Sequence, residues 1–203
     1  VEEYEYFTSQ GLRRQNFWNP GSNGGANPYW TMNRNLHYNR SERTVVMTSL
    51  TYGFTDAFRL MVRGSYDGEN AVGERRWYND TYIIADNGEY FQARSNGWEG
   101  NGEFLLSYTD EFLEQLSVDA NVGGNIRKER GGSISANTGQ ALTVPNFFTL
   151  NNTQNVFASE GVGSPREVHS LYGFGQIGWR DAIYVDVTGR NDWSSTLPPE
   201  SRS

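Results

Sequence analysis

Hydrophobic and polar residues alternate along several stretches of the chain with the period of two that marks a half-buried β-strand. From Ala182 to Arg190, Ile183, Val185 and Val187 share one face, and Tyr184, Asp186, Thr188 and Arg190 share the other. Phe58, Leu60 and Val62 oppose Arg59, Met61, Arg63 and Ser65 in the same way. Leu116, Val118, Ala120 and Val122 oppose Gln115, Ser117, Asp119 and Asn121. In each case the second face is polar enough for water. Two stretches read less cleanly. The glycines between Leu171 and Trp179 leave the facing of that run open, and Phe104, Tyr108, Phe112 and Leu116 recur every four residues, as an amphipathic helix would place them. Strict alternation after Leu116 and the flanking glycines favour a hairpin there.

Each alternating segment follows a partner across a tight connection. Residues 43–54 lead through Thr55-Asp56 into 57–66, residues 102–109 through Asp110-Glu111-Phe112 into 113–123, and residues 168–179 through Arg180-Asp181 into 182–193. The expected hairpins therefore span about 43–66, 102–123 and 168–193. Long Gly-, Asn- and Tyr-rich stretches, about 11–41, 67–101 and 125–167, separate them. Loops of that length are uncommon in a compact soluble domain. A regular alternation of short and long connections is instead the habit of transmembrane barrels, with short periplasmic turns and long external loops. Ten residues at about 3.3 Å each, tilted by roughly 40°, rise about 25 Å, the height of a barrel's apolar band. Phe54, Phe58, Tyr66, Tyr108, Trp179 and Trp193 stand near the ends of the apolar faces, where interfacial girdles occur. The expected fold is all-β: an antiparallel transmembrane β-barrel segment of about six strands with long extracellular loops.

Composition agrees. Only 36% of the 203 residues are hydrophobic, yet 14% are aromatic, and the 23 glycines suit strands and turns better than helices. A net charge of −7 argues against nucleic acid, and the pairs Arg13-Arg14, Arg75-Arg76 and Arg127-Lys128 are too short to track a phosphate backbone. No cysteine is present, which excludes disulfides, thiolate nucleophiles and Cys-zinc sites. No run approaches the roughly 18 apolar residues of a membrane helix, and Val1-Glu2-Glu3-Tyr4 does not open a signal peptide.

Nothing in the chain points to catalysis, a metal or a cofactor. His37 and His169 have no evident Ser or Cys partner, and no two carboxylates are set at a working separation. Asp86-Asn87-Gly88-Glu89 lacks the alternation of a calcium loop and reads as a turn. Gly161-Val162-Gly163 lacks the Lys-Ser/Thr of a phosphate loop. The candidate binding residues are aromatic. Trp77, Tyr78, Tyr82, Tyr90, Phe91 and Trp98 cluster in one long stretch, and Phe147 and Phe148 in another. Such rings can stack on sugars or anchor peptide side chains, or simply fold the loops together. The polar strand faces supply a second set, Arg59, Arg63, Asp119, Asp186, Arg190 and Asp192, which in a barrel would face the lumen and a plug within it.

The run from Ser170 to Asp181, followed by Tyr184-Val185-Asp186-Val187-Thr188 and Gly189-Arg190-Asn191-Asp192-Trp193-Ser194-Ser195-Thr196-Leu197-Pro198, closely resembles SusC/RagA-type TonB-linked outer-membrane transporters. Asn27-Pro28-Tyr29-Trp30, Tyr52-Gly53-Phe54, Gly123-Gly124-Asn125-Ile126 and Val144-Pro145-Asn146-Phe147-Phe148-Thr149-Leu150 resemble the same barrel pattern. The resemblance implies a barrel of about 22 strands with a plugged lumen, lying in outer-membrane lipid of a bacterium and capped by a SusD-like surface lipoprotein. It also implies TonB-driven import of oligosaccharides or peptides. Neither a plug domain nor a TonB box is recognisable, so the chain reads as an internal piece of the barrel domain, with TonB engaged through a more N-terminal part of the parent. A soluble carbohydrate-binding β-domain is the alternative; it would need to bury the face of Phe58, Leu60 and Val62 in a core.

Overall fold

The computed structural model describes residues 4–16, 26–81, 87–112, 115–139 and 142–196. Two short strands, β1 (Glu5–Phe7) and β2 (Arg13–Gln15), pair antiparallel. A helix, α1 (Pro28–Arg34), precedes β3 (Asn35–Gly53), β4 (Phe58–Trp77), β5 (Glu89–Phe112), β6 (Leu116–Asn137), β7 (Phe157–Val162), β8 (Arg166–Trp179) and β9 (Ile183–Ser194). The large sheet has the order β3-β4-β5-β6-β8-β9, with β7 also paired to β6. The fold is thus predominantly antiparallel β-sheet, and residues 103–112, where the four-residue recurrence allowed a helix, are strand.

Tight turns follow from local chemistry. Arg180 and Asp181 both take positive φ, 54° and 51°, and the Ala182 amide donates to the Trp179 carbonyl at 3.1 Å. This is the primed turn whose twist matches that of paired strands. At the end of β3, the Phe58 amide donates to Thr55 Oγ1 at 3.0 Å.

The strands run further than hydrophobic alternation suggests. Large parts of 67–101 and 125–167, expected as loops, are strand: β4 continues to Trp77, β5 starts at Glu89, β6 runs to Asn137 and β7 returns along it. β3 likewise starts at Asn35, inside the first expected loop. The apolar residues of these extensions, such as Val72, Tyr90 and Phe157, are scattered among glycines and polar residues, so no sustained hydrophobic period marks them, and the ladder holds them extended. The two pairings of β6 differ in register: Gly132 faces Val162, whereas Glu129 faces Arg166. Residues 163–165 therefore stand opposite only 130 and 131, a β-bulge. Gly163 fits because a Cβ there would lie 2.4 Å from the Gly131 carbonyl oxygen, and Pro165 has no amide to give the ladder.

The chain divides into two compact units, with boundaries inside β3, β4, β5 and β6. The second, residues 43–69, 97–131 and 163–203, contains the tight turns and all of β8 and β9. The first, residues 1–42, 70–96 and 132–162, contains β1, β2, α1 and β7. Helix α1 begins where Asn27 caps it, accepting from the Tyr29 amide at 3.0 Å, with Pro28 next in line. It places Trp30 out of solvent, its indole N–H on Thr81 Oγ1 at 3.3 Å.

Around that ring the first unit is held by side-chain amides. Asn79 is buried; its Nδ2 donates to the Arg13 carbonyl at 2.8 Å, and its backbone amide donates to Asn146 Oδ1 at 2.8 Å. Asn146 Nδ2 returns a bond to Asn79 Oδ1 at 2.6 Å. Glu5 receives both Nε and Nη2 of Arg34 at 2.8 Å and also meets Arg13. The Arg34 hydrogen bond, then the charges of Arg34 and Arg13, hold the Glu5 carboxyl below the usual carboxylate range.

Asn79→Ala leaves the Arg13 carbonyl and the Asn146 amide without their partner, and costs about 1–3 kcal/mol locally. Hydrogen exchange at residues 12–16 and 143–152 is expected to speed up about tenfold or more; unchanged exchange would show the amide to be dispensable. Because the folded pKa of Glu5 lies below its unfolded value, its contribution is present at neutral pH and is lost as pH falls through that depressed pKa. Protection of residues 5–15 should therefore drop in acid, and Glu5→Gln should abolish that pH dependence.

Candidate functional site

In the second unit, the registers of β6, β8 and β9 settle which side chains share a face. Val118, Ile177 and Val185 form one row, Leu116, Trp179 and Ile183 another, and Ile126, His169 and Trp193 a third. The facing that glycine had left open is thereby decided: Leu171, Ile177 and Trp179 join the apolar side, and Tyr172, Phe174 and Gln176 the polar side. The apolar side is uncovered, with Val185 54% and Val187 67% exposed. Aromatic rings meet on it at two levels. Phe58 and Tyr108 pack with centroids 4.7 Å apart near the tight turns, and Tyr66 stacks on Trp98 at 6.3 Å further along.

The polar side carries a connected network. Asp119, Gln176 and Asp186 form one row, in which Gln176 Nε2 donates to Asp186 Oδ1 at 2.8 Å. Asp119 accepts from Thr109 Oγ1 at 3.0 Å and also from Asn121. A second chain runs across the sheet through Glu103 of β5, which binds Arg63 of β4 and accepts the Tyr172 hydroxyl of β8 at 2.5 Å. Arg190 of β9 stands 5.8 Å from the centre of the Tyr172 ring, holds both oxygens of Asp192 at 3.0 and 3.1 Å, and donates to Ser170 Oγ at 3.1 Å. Strand β6 lies between β5 and β8. Tyr172 crosses it over Gly123, where a Cβ would come within 2.6 Å of the ring. Glycine at that position is what lets Tyr172 reach Glu103.

Five of the six polar-face candidates, Arg63, Asp119, Asp186, Arg190 and Asp192, fall in these two networks; Arg59 shares their side of β4 but stands outside them. Glu103, Tyr172, Ser170 and Gln176 were not among the residues singled out from the sequence. The facing of β8 was the missing signal: once Ile177 is placed opposite Val118, Tyr172 and Gln176 follow by alternation.

The aromatic candidates separate. Trp98 was expected in a loop but lies within β5, on the apolar face against Tyr66, because the strand continues through it. Tyr90 is buried, its amide on Thr138 Oγ1 at 3.0 Å. Tyr78 packs between Phe148, at 5.0 Å, and the Arg34 guanidinium, at 5.3 Å. Trp77 takes the Arg75 guanidinium on its ring at 4.1 Å, while Arg75 also stands 4.9 Å from Phe91 and binds Glu89. Phe147 is 60% exposed. Tyr82 lies outside the described residues.

Among the described residues no helix is long and apolar enough to cross a membrane, which says nothing of strands. No protein-family model and no curated protein matches the sequence. Solved structures do. The RagAB peptide transporter aligns with 86% of this chain at a TM-score of 0.72 and 17% identity. The RagAB peptide importer in its closed-closed and open-open states aligns with 87% and 91% of it, at TM-scores of 0.73 and 0.75 and 16% identity. The chain has the fold of a stretch of β-barrel wall. It spans about a fifth of the length of those chains, 20% or 21%. The resemblance drawn from sequence motifs thus has a structural counterpart, and the neighbours are transporters rather than enzymes.

If Tyr172 and Glu103 are bonded across the barrel wall, Tyr172→Phe and Glu103→Gln should be coupled by about 1.5–3 kcal/mol in a double-mutant cycle on unfolding, the range for a bond to a charged group. Additive effects would mean the bond contributes nothing.

Proposed function

We propose that the chain is a length of barrel wall from a SusC-like TonB-dependent transporter of the bacterial outer membrane. The two-faced sheet carries this reading: one face bears in-register apolar rows with aromatics at two levels and no covering layer, and the opposite face bears a charged network. In a membrane barrel the first faces lipid and the second a polar lumen. The networks of Arg63, Glu103, Tyr172 and Arg190, and of Asp119 and Asp186, would then meet the plug or line the passage around it. The parent imports oligosaccharides or peptides with a SusD-like surface lipoprotein and draws energy from TonB through a part of the protein other than this stretch. The peptide-transporting neighbours support the peptide arm. Phe147 is the aromatic best placed for ligand, since Trp98, Tyr90, Tyr78 and Phe148 are engaged elsewhere and Trp77 is held by Arg75 and His37.

The test uses the absence of cysteine in this stretch. Cysteines placed singly at Val62, Val118 and Val185 of the full-length protein, with any cysteines elsewhere replaced, should react with membrane-phase probes and resist water-soluble ones. Protection from membrane-phase probes at all three positions would instead give the sheet a buried core, as a soluble carbohydrate-binding domain requires. Uptake of labelled peptides and of labelled oligosaccharides by cells with and without the parent gene decides the cargo.

A further inference from the structure

The apolar face of the second unit is not evenly filled. A groove of about 750 Å³ opens in it, lined by Val62, Phe104, Ile126, Leu171, His169 and Trp193 and floored by Gly102 and Gly124. That volume lies within the usual range of ligand sites, roughly 300–1,000 Å³. Glycine makes the space. The Phe104 ring lies over Gly124, where a Cβ would meet it at 2.7 Å, and beside Gly102 there is nothing within 4 Å of where a Cβ would stand.

One end of the groove is polar. His169 faces Ile126 and Trp193 across the ladder, and two pairs further along, on the same side, Glu167 faces Lys128. Lys128 Nζ lies 3.2 Å from Glu167 Oε1, and His169 Nε2 lies 2.6 Å from the same oxygen. Arg130, two residues beyond Lys128 and so on the same side of β6, makes no ion pair among the described residues. Beyond the His169 and Trp193 end of the apolar slot, Lys128 thus shares the Glu167 carboxylate with His169, and Arg130 adds a second permanent cation with no carboxylate of its own among the described residues. An apolar slot ending in surplus positive charge fits an amphiphile with a phosphate head.

The geometry points to a bound lipid: we infer that the groove seats one acyl chain of a phosphorylated lipid whose phosphate rests on Lys128 and Arg130. The inference rests on the membrane-barrel reading proposed above. The cationic end is the one away from the tight turns at 54–57 and 180–182. In a barrel with short periplasmic turns that end lies in the outer leaflet. The occupant is therefore the phosphorylated, multiply acylated sugar lipid of that leaflet, lipid A, rather than a glycerophospholipid.

Native mass spectrometry of the full-length protein, purified in mild detergent from its outer membrane, tests this. Wild-type protein should retain a lipid A-bearing species. Gly102→Leu fills the groove where a side chain has open space, and Lys128→Glu reverses charge at its exposed end; each should lower retention about fivefold or more. Equal retention in all three proteins, or retention of a glycerophospholipid in place of lipid A, overturns the assignment. Heat-modifiable electrophoretic mobility is read in parallel. A barrel that keeps its mobility but binds lipid A equally in every variant defeats the groove alone, whereas a wild-type protein without heat-modifiable mobility defeats the barrel reading with it.

Discussion

The strand ladder is the constraint on which the rest of this structure depends. Registered pairing of β6, β8 and β9 satisfies backbone donors and acceptors within the sheet, and it fixes which side chain stands on which side. A sheet that meets its backbone needs internally can leave a whole face apolar, provided the surroundings are apolar too. Val185, Val187 and Ile177 are all at least half exposed and aligned with other apolar residues. In water that face would forgo about 25 cal/mol for each Å² left unburied; against lipid it forgoes nothing. The strands β3 and β9 end the order of the sheet, each with one side of its ladder open. Closure with further strands of a barrel meets both needs at once.

The opposite face answers a different demand. Glu103 is largely covered and has both its oxygens engaged, by Arg63 and by Tyr172. Arg190 is likewise shared between Asp192 and Ser170. Paired charges of this kind give a polar wall a defined shape without a large net field.

How far the sequence disclosed this depended on whether one face was apolar. Ile183, Val185 and Val187 alternate against Tyr184, Asp186 and Thr188, and the pairing of β9 with β8 places them as that alternation implies. Arg180-Asp181 could be recognised as a turn because two residues between alternating runs have few other conformations. The tail of β4 beyond Asp67, the first half of β5 and all of β7 were not legible. Their apolar residues, such as Val72, Phe91 and Phe157, are scattered among glycines and polar residues, and such a strand leaves no sustained hydrophobic period. Tyr172 was hidden for a related reason. Gly173, Gly175 and Gly178 blank out the alternation that would have told one face from the other, so its partnership with Glu103, 69 positions away in sequence, had no local sign.

Two other glycines explain how the wall can be thin in one place and connected in another. Gly123 and Gly124 are adjacent in β6 and therefore project to opposite faces. Above Gly123 the Tyr172 ring crosses to Glu103, and above Gly124 the Phe104 ring lies beside the open groove. One strand thus yields its side-chain volume to the charged network on one side and to the apolar slot on the other, at neighbouring positions. The ladder tolerates this because its backbone bonds do not depend on side chains. The same independence accounts for a TM-score of 0.75 at 16% identity: alternation and register preserve the wall, while the chemistry of each face can change one residue at a time without disturbing the other.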